Sequence, residues 1–504
     1  MRCFLMVLAL GLILSSGCTR RSPKGAEGPS LRIGVVTDLK GYLEPCGCTS
    51  DPLGGIDRLA AQVRLLRDGD APALLLIAGD AFFDTAELEE VRVDQANRNA
   101  KTLAGILGAL GVAAVLPGPS DRAQPAETLS DLKALGPFPW LAMTAESQTV
   151  TVDADGLRVA IVGVRPGAGR EAVRTAVSDA RAKSDLLIAL VHGSRRDANR
   201  IGAIDGVDFV IQGGLDEDDP VPPRQAGRSW VFHASRQGQG LTVVDVHRKK
   251  SGEAFIDQSD WSRAERAEQL DGQIADLRAK LASWEKSKDV AAADLEAQRA
   301  RLSGLEDERR TLDAPTVQPE GNRFSATFIP LSKKSPTDEQ VGKLMRRHDK
   351  VVNEANRVAF ADLQPPALGP DDIAYVGSAA CSACHQTAYS WWRNHAHGVA
   401  YLTLQQRSKE FNLDCVGCHV TGYEQPGGST VTQNLDGALV NVGCESCHGP
   451  GAAHSKDPEV EIVRDTPEST CVECHNTEHS DLFDYEGYKK TLVVPGHGLP
   501  PLVR

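Results

Sequence analysis

Aromatic side chains make up only 5% of the 504 residues. A chain of this length is expected to divide into two or three domains plus connectors. So few rings are thin filling for that many cores. Positive charge is also in deficit, with 55 Lys and Arg against 68 Asp and Glu and a net charge of -13. No basic stripe is present to neutralise phosphates, which excludes nucleic acid as a partner class. The apolar run from Phe4 to Leu14 is too short to span a bilayer. Cysteine is scarce outside one repeated pattern in the last third. Only Cys3, Cys18, Cys46 and Cys48 lie elsewhere, so no disulfide framework is implied.

That pattern occurs four times: Cys381-Ser-Ala-Cys384-His385, Cys415-Val-Gly-Cys418-His419, Cys444-Glu-Ser-Cys447-His448 and Cys471-Val-Glu-Cys474-His475. Two thiols on one short turn can add across the two vinyl groups of a porphyrin, and the adjacent His then lies beneath the iron. Zinc knuckles and thioredoxin-like sites also use CxxC, but neither requires a His after the second Cys every time. The reading is four covalent c-type haems, whose flat apolar surfaces supply what the sparse aromatics do not. Four haems in so short a segment must pack against one another and form a wire.

The N-terminus reads as an export signal: Met1-Arg2, the apolar run, then Ser15-Ser16-Gly17-Cys18. It resembles a bacterial lipoprotein signal, which implies cleavage before Cys18 and lipidation of that thiol. Ser15 stands where such signals usually carry Leu, and a soluble periplasmic form is the alternative. Either way the chain is expected in the cell envelope, facing the periplasm. Residues 19–30 form a polar tether.

From Leu31 the texture is that of buried strands. Leu31–Val36, Ala73–Ile77, Ala113–Leu116, Arg158–Val162, Leu186–Val191, Phe209–Ile211, Trp230–Phe232 and Leu241–Val246 are short apolar runs, several of them separated by helical stretches such as Ile56–Arg67 and Val91–Leu110. The expected fold is a multidomain α/β plus α chain, with a layered α/β sandwich over 31–258 whose site lies on the loops after the strands. Those loops resemble, in order, the signature blocks of the calcineurin-like metallophosphatases, particularly the 5'-nucleotidase branch. The resemblance implies metal ligands at Asp38, Asp80 and His192, with Asp216 as a fourth candidate. It also exposes departures. Lys40 replaces a ligand in Val36-Thr-Asp38-Leu-Lys40, and Pro117-Gly-Pro-Ser-Asp121 replaces the block holding a metal-binding Asn and the catalytic His. An ammonium at Lys40 repels a cation, so hydrolysis on two metals is expected to be lost; one divalent metal is the remaining option.

Directly after the first block comes Glu44-Pro45-Cys46-Gly47-Cys48. This CxC is open to three readings: a strained redox pair, a soft-metal site or an inert structural pair. Residues 259–314 carry a helical seam (Leu270, Ile274, Leu277, Leu281, then Leu295, Leu302, Leu305, Leu312) that fits a hairpin of two helices or one long coiled coil. The break at Lys286-Ser-Lys-Asp289 favours the hairpin. Over 315–362 a returning strand, Arg323–Leu331, precedes a helix opening near Ser335-Pro336, with His348 on its apolar face. His348 is read as a packed histidine rather than an iron ligand.

Residues 371–504 resemble the tetrahaem cytochromes of the cytochrome c554 family, through the repeated motif, Trp391-Trp-Arg-Asn-His395-Ala-His397-Gly and Cys447-His448-Gly-Pro-Gly-Ala-Ala-His454. The family uses such histidines as distal iron ligands. The resemblance therefore implies His395, with His397 as its alternate, then His454, and one of His497 and His479. The function expected is electron transfer with redox partner proteins, membrane attachment through the lipid, and an inactive metallophosphatase-like domain. Two rivals stay open. One is a working 5'-nucleotidase-like hydrolase with an accessory cytochrome; the other is a multihaem reductase of a small nitrogen-oxide-type substrate.

Overall fold

The computed structural model of the protein describes residues 28–45, 51–143, 148–165, 167–215, 221–284, 292–313, 320–476, 479–480 and 482–499. Cys18, Cys46, Cys48 and Asp216, singled out from the sequence, lie outside these residues.

All eight expected strands are present: β1 (Leu31–Thr37), β2 (Ala73–Gly79), β3 (Ala114–Pro117), β5 (Leu157–Val164), β6 (Leu186–His192), β7 (Phe209–Gly213), β9 (Ser229–Phe232) and β10 (Gly240–His247). The expected return strand is β12 (Arg323–Pro330), and β4 (Gln148–Ala154), β8 (Arg224–Ala226) and β11 (Ile256–Asp257) are additional. One six-stranded sheet runs β11-β12-β10-β1-β2-β3 and the other β4-β5-β6-β7-β9-β8. Strand periodicity explains the layering. In β1, Leu31, Ile33 and Val35 face the second sheet; in β6, Leu186, Ile188 and Leu190 face back at them. Alternate residues, such as Leu75 and Ile77 or Leu187 and Ala189, point outward under helices. Both sheets are thus covered on two faces, which is why their strands read as continuous apolar runs.

The seam residues form two helices, Asp260–Trp284 and Ala292–Asp313. They lie antiparallel, tied by Arg266 to Glu308 (2.7 Å) and Arg309 to Asp271 (2.9 Å).

The helix expected from Ser335 starts later, at Glu339, and runs to Ala359. Asp338 decides the boundary, because its carboxylate accepts the N–H groups of Gln340 (2.9 Å) and Val341 (3.0 Å) as an N-cap. This bridging helix buries Val341 and Met345 in the outer core of the first sheet. Further along it turns Asp349, Asn353 and Asn356 toward the C-terminal domain. His348 is half-buried with its ring nitrogens 2.9 Å from Thr102 Oγ1 and 2.9 Å from Asn99 Oδ1, which makes it a satisfied structural histidine.

The C-terminal domain is built of short helical turns. Its apolar cluster among the described residues holds only Tyr401, Val416, Val420 and Val431 at its buried centre. So small a cluster cannot hold a domain of this length together by itself.

Candidate haem cluster and strand-end pocket

The third CxxCH motif is one turn of helix, the second is one turn entered through Cys415, and the first and fourth are turns that continue the helices Ser378–Cys381 and Glu468–Val472. In the first, the N–H groups of Cys384 and His385 bond to the Cys381 carbonyl at 3.3 and 2.9 Å; in the fourth, those of Cys474 and His475 bond to Cys471 at 3.2 and 2.8 Å. Residues i, i+3 and i+4 share one helix face, so both sulfurs and the imidazole point the same way. All eight motif thiols are free, and none is fully buried.

Histidine tautomers sharpen the site. Nδ1 lies 2.7 Å from the Ala400 carbonyl in His419, 2.6 Å from Val463 in His448, 2.8 Å from Val460 in His454 and 2.7 Å from Leu492 in His497. An Nδ1–H given to a carbonyl orients the ring and leaves Nε2 with its lone pair, the arrangement a metal-binding imidazole needs. His395 does the opposite, since its Nδ1 accepts the His397 N–H at 3.2 Å. In the neutral ring the proton is then on Nε2.

Three motif histidines face a second ring. His385 and His454 are 6.3 Å apart between centroids and within 21° of parallel. His397 and His475 are 6.2 Å apart, and His448 and His497 are 6.3 Å apart. Two metal–nitrogen bonds of about 2 Å plus two ring radii come to about 6 Å. The gap in each pair is that of one metal between two imidazoles, so the residues fit the haem that the motifs imply. Burial, helped by His395 and His475, lowers the His397 pKa to about 4, so its nitrogen is unprotonated at neutral pH. Among the described residues no ring stands at this spacing from His419. Of His395 and His397, the ring at this spacing from a motif histidine is His397; His395 stacks on Trp391 (4.7 Å), as does His497 (4.8 Å). Of the late pair, His497 faces a motif histidine, while His479 faces none among the described residues.

The motifs interleave in space. Cys381 and Cys444 are within hydrogen-bond reach, as are Cys418 and Cys474, and Cys447 lies near Cys471 and Cys474. The order through space is first, third, fourth, second.

The segment before the second motif docks on the α/β domain. Gln95 donates to Asn412 (3.1 Å) and Asp414 (2.7 Å), and its carbonyl accepts Leu413 N–H (3.0 Å). Asn353 and Asn356 hold the backbone of Phe411 at 2.8 Å each, and Arg92 pairs with Asp414. Lys409, almost wholly buried, pairs with Glu44 and lies 3.8 Å from Asp349. Burial lowers the Lys409 pKa, but Glu44 and Asp349 outweigh it and the net shift is upward. Burial raises Asp349 to about 6 against the pull of Lys409. Nothing in the sequence pattern singled out Lys409 or Asp349; a lysine six residues before a haem motif carries no recognisable signal.

At the ends of β1, β2 and β6 the structure does bring Asp38, Asp80 and His192 together. Room is made by glycine: a Cβ on Gly79 (φ 102°) would sit 2.0 Å from Asp38, and one on Gly214 (φ 82°) 2.7 Å from the His192 ring. The two carboxylates are already engaged, whereas the buried Nδ1 of His192 has no hydrogen-bond partner among the described residues. Asp38 accepts Gly214 N–H (2.9 Å) and Asp80 N–H (3.2 Å), and Asp80 accepts Ser120 N–H (2.8 Å). Asp80 and His192 approach only to 3.9 Å. Burial, opposed by Gly214 N–H and reinforced by Asp80, raises the Asp38 pKa to about 7. Among the described residues no three His, Cys, Asp or Glu side chains converge to hold a metal ion. Among the described residues the two-metal cage implied by the resemblance is not assembled. Asp121, unassigned from the sequence, instead locks the loop after β2 by accepting the N–H groups of Ala81 (2.7 Å), Phe82 (2.8 Å) and Phe83 (3.0 Å).

The cytochrome c554 and c-prime family model matches residues 380–449. The C-terminal domain resembles the cytochromes c554. Over 95 residues the chain is 37% identical to cytochrome c-554 of Nitrosomonas europaea, covering 16% of this chain and 40% of that protein. The family implies c-type haem. Among solved structures, SoxB sulfate thiohydrolase of Thermus thermophilus is 13% identical with TM-score 0.43, over 68% of this chain and 63% of its own. The 5'-nucleotidase precursor of Thermus thermophilus is 14% identical with TM-score 0.43, over 78% and 69%. The calcineurin-like phosphoesterase YfkN of Bacillus subtilis is 17% identical with TM-score 0.36, over 46% and 89%.

Proposed function

We propose that the protein is an exported electron-transfer protein whose c554-like domain holds four covalent haems, one per CxxCH motif. The observation that carries this reading is the set of three histidine pairs at 6.2–6.3 Å, each containing one motif histidine. A c-type haem exchanges single electrons at its iron. The chain's residues do the rest. His385 with His454, His475 with His397, and His448 with His497 would hold the haem irons, and the backbone carbonyls at Nδ1 of His454, His448 and His497 hold those three rings in place. If the haems follow the contacts between cysteines of different motifs, the relay would run first, third, fourth and second. His419 would supply one nitrogen, at the end of the relay that meets the α/β domain.

The α/β domain acts in this reading as a scaffold for the second motif rather than as a hydrolase. Lys40 and the engaged carboxylates at Asp38 and Asp80 support it. Export and attachment through Cys18 rest on the N-terminal sequence, and a Cys18→Ser chain released from membranes is the expected result.

Mass spectrometry of the denatured protein tests the core of the proposal: four haem additions are expected, and fewer than three refute it. The unpartnered His419 favours a second reading, a reductase acting on a small ligand there. Turnover of a nitrogen oxide that depends on a high-spin iron signal would establish it, and an all-low-spin protein would exclude it.

A further inference from the structure

The bridging helix carries an apolar stripe on its outer side. Leu344, Val351 and Val358 are 48%, 47% and 62% exposed. They recur every seven residues, two turns apart, so they form one line along the helix. Beside the line, Val351, Ala355 and Val358 border an open groove of about 690 Å³ whose rim carries Arg98, Arg347 and Lys350. Glu354, the acid on that rim, is neutralised by Arg357 of the same helix at 2.7 Å. The groove is therefore a cationic patch on a chain whose net charge is -13.

We infer that this groove is a docking site for an acidic redox partner protein that exchanges electrons with the second haem motif. The inference rests on the electron-transfer reading above and adds the entry point and the partner's chemistry. Three observations carry it. An apolar stripe rimmed by charge of one sign has the anatomy of a transient interface, where the centre supplies adhesion and the rim steers encounter. The sign selects the partner: cations here attract an acidic surface, and long-range attraction raises the association rate most at low salt. The place fits electron exchange, because the opposite face of the same helix holds Phe411, four residues before Cys415, through Asn353 and Asn356. One helix diameter, about 10 Å, separates the two faces.

Other occupants fit less well. Two copies of the chain meeting across a two-fold axis would set Arg347 and Lys350 against their own counterparts. A bilayer surface takes up a convex apolar face, whereas this one is concave.

The test uses the full-length haem-loaded protein, with oxidised flavodoxin as the acidic probe. Calorimetry is expected to give binding that weakens as salt rises. Charge reversal in Arg347→Glu/Lys350→Glu should weaken it at least tenfold, Val351→Ser/Val358→Ser should weaken it likewise, and Arg347→Lys/Lys350→Arg should retain it. Haem spectra, which report the electron-transfer reading separately, should be the same in all of these chains. Wild-type binding that is absent or indifferent to salt overturns the inference, as does charge reversal that changes affinity less than twofold. A wild-type dimer broken by Val351→Ser/Val358→Ser overturns it in favour of self-association. Co-sedimentation with phosphatidylglycerol vesicles, abolished by charge reversal, overturns it in favour of a membrane face.

Discussion

Replacing His397 by alanine separates the haem geometry from family resemblance, because the sequence alone prefers its neighbour His395. His397 stands 6.2 Å from His475 and is unprotonated at neutral pH, with its pKa lowered to about 4 chiefly by burial. Removing it deletes one of two strong-field nitrogens on one iron. His395 does not replace it, since its ring lies 4.9 Å away at 71° and is stacked on Trp391. With three histidine pairs and one unpaired His419, the wild type should show three low-spin irons and one high-spin iron. The variant should show two of each. His395→Ala should cost the hydrogen bond to the His397 N–H and the stacking on Trp391, about 2 kcal/mol together, with no change of spin state. Quantitative electron paramagnetic resonance on both variants reads the difference, while mass spectrometry checks that the covalent haem count is unchanged. A spin change in His395→Ala and none in His397→Ala would refute the tautomer argument and the spacing argument together.

Lys409→Ala should leave Asp349 buried and unpaired beside Glu44 and cost roughly 3 kcal/mol, read by thermal unfolding, with Asp349→Asn restoring part of it. A loss under 1 kcal/mol would mean the triad is not what docks the second motif. His348 has a folded pKa lowered to about 4 by burial and by Lys409, against an ordinary 6.5. Its contribution is therefore fully present above pH 6.5 and is lost as pH falls toward 4, by up to about 3 kcal/mol. Asp349, raised to about 6, titrates in the opposite sense over the same range, so the comparison is wild type against His348→Gln: the variant should lose less stability between pH 6.5 and 4, and parallel curves would contradict the assignment. The strand-end pocket should not hydrolyse p-nitrophenyl phosphate or a 5'-nucleotide with manganese added, and Lys40→His alone should not restore turnover, because Asp38 and Asp80 remain tied to backbone N–H groups. Turnover by the wild type would overturn the scaffold reading.

The sequence by itself determined the cofactor chemistry and the layered α/β fold. Thiols at i and i+3 with His at i+4 share a face whatever surrounds them, and strands buried on both faces must read as apolar runs. The helix start near residue 335 was legible only approximately, since Ser335, Pro336 and Asp338 all carry start signals and only the structure shows Asp338 taking the exposed N–H groups. Choices among like residues were left to tertiary contacts. His395 and His397 differ in the sequence only by two positions; which one offers a lone pair depends on where the carbonyls and N–H groups of other segments fall. The same holds for Asp38 and Asp80, present where a metal site requires them yet occupied by the N–H groups of Gly214 and Ser120. The seating of the second motif on the α/β domain joins residues more than 300 positions apart, such as Gln95 and Asp414. Local pattern carries no record of such a pair, because only the folded chain brings its members into hydrogen-bond range.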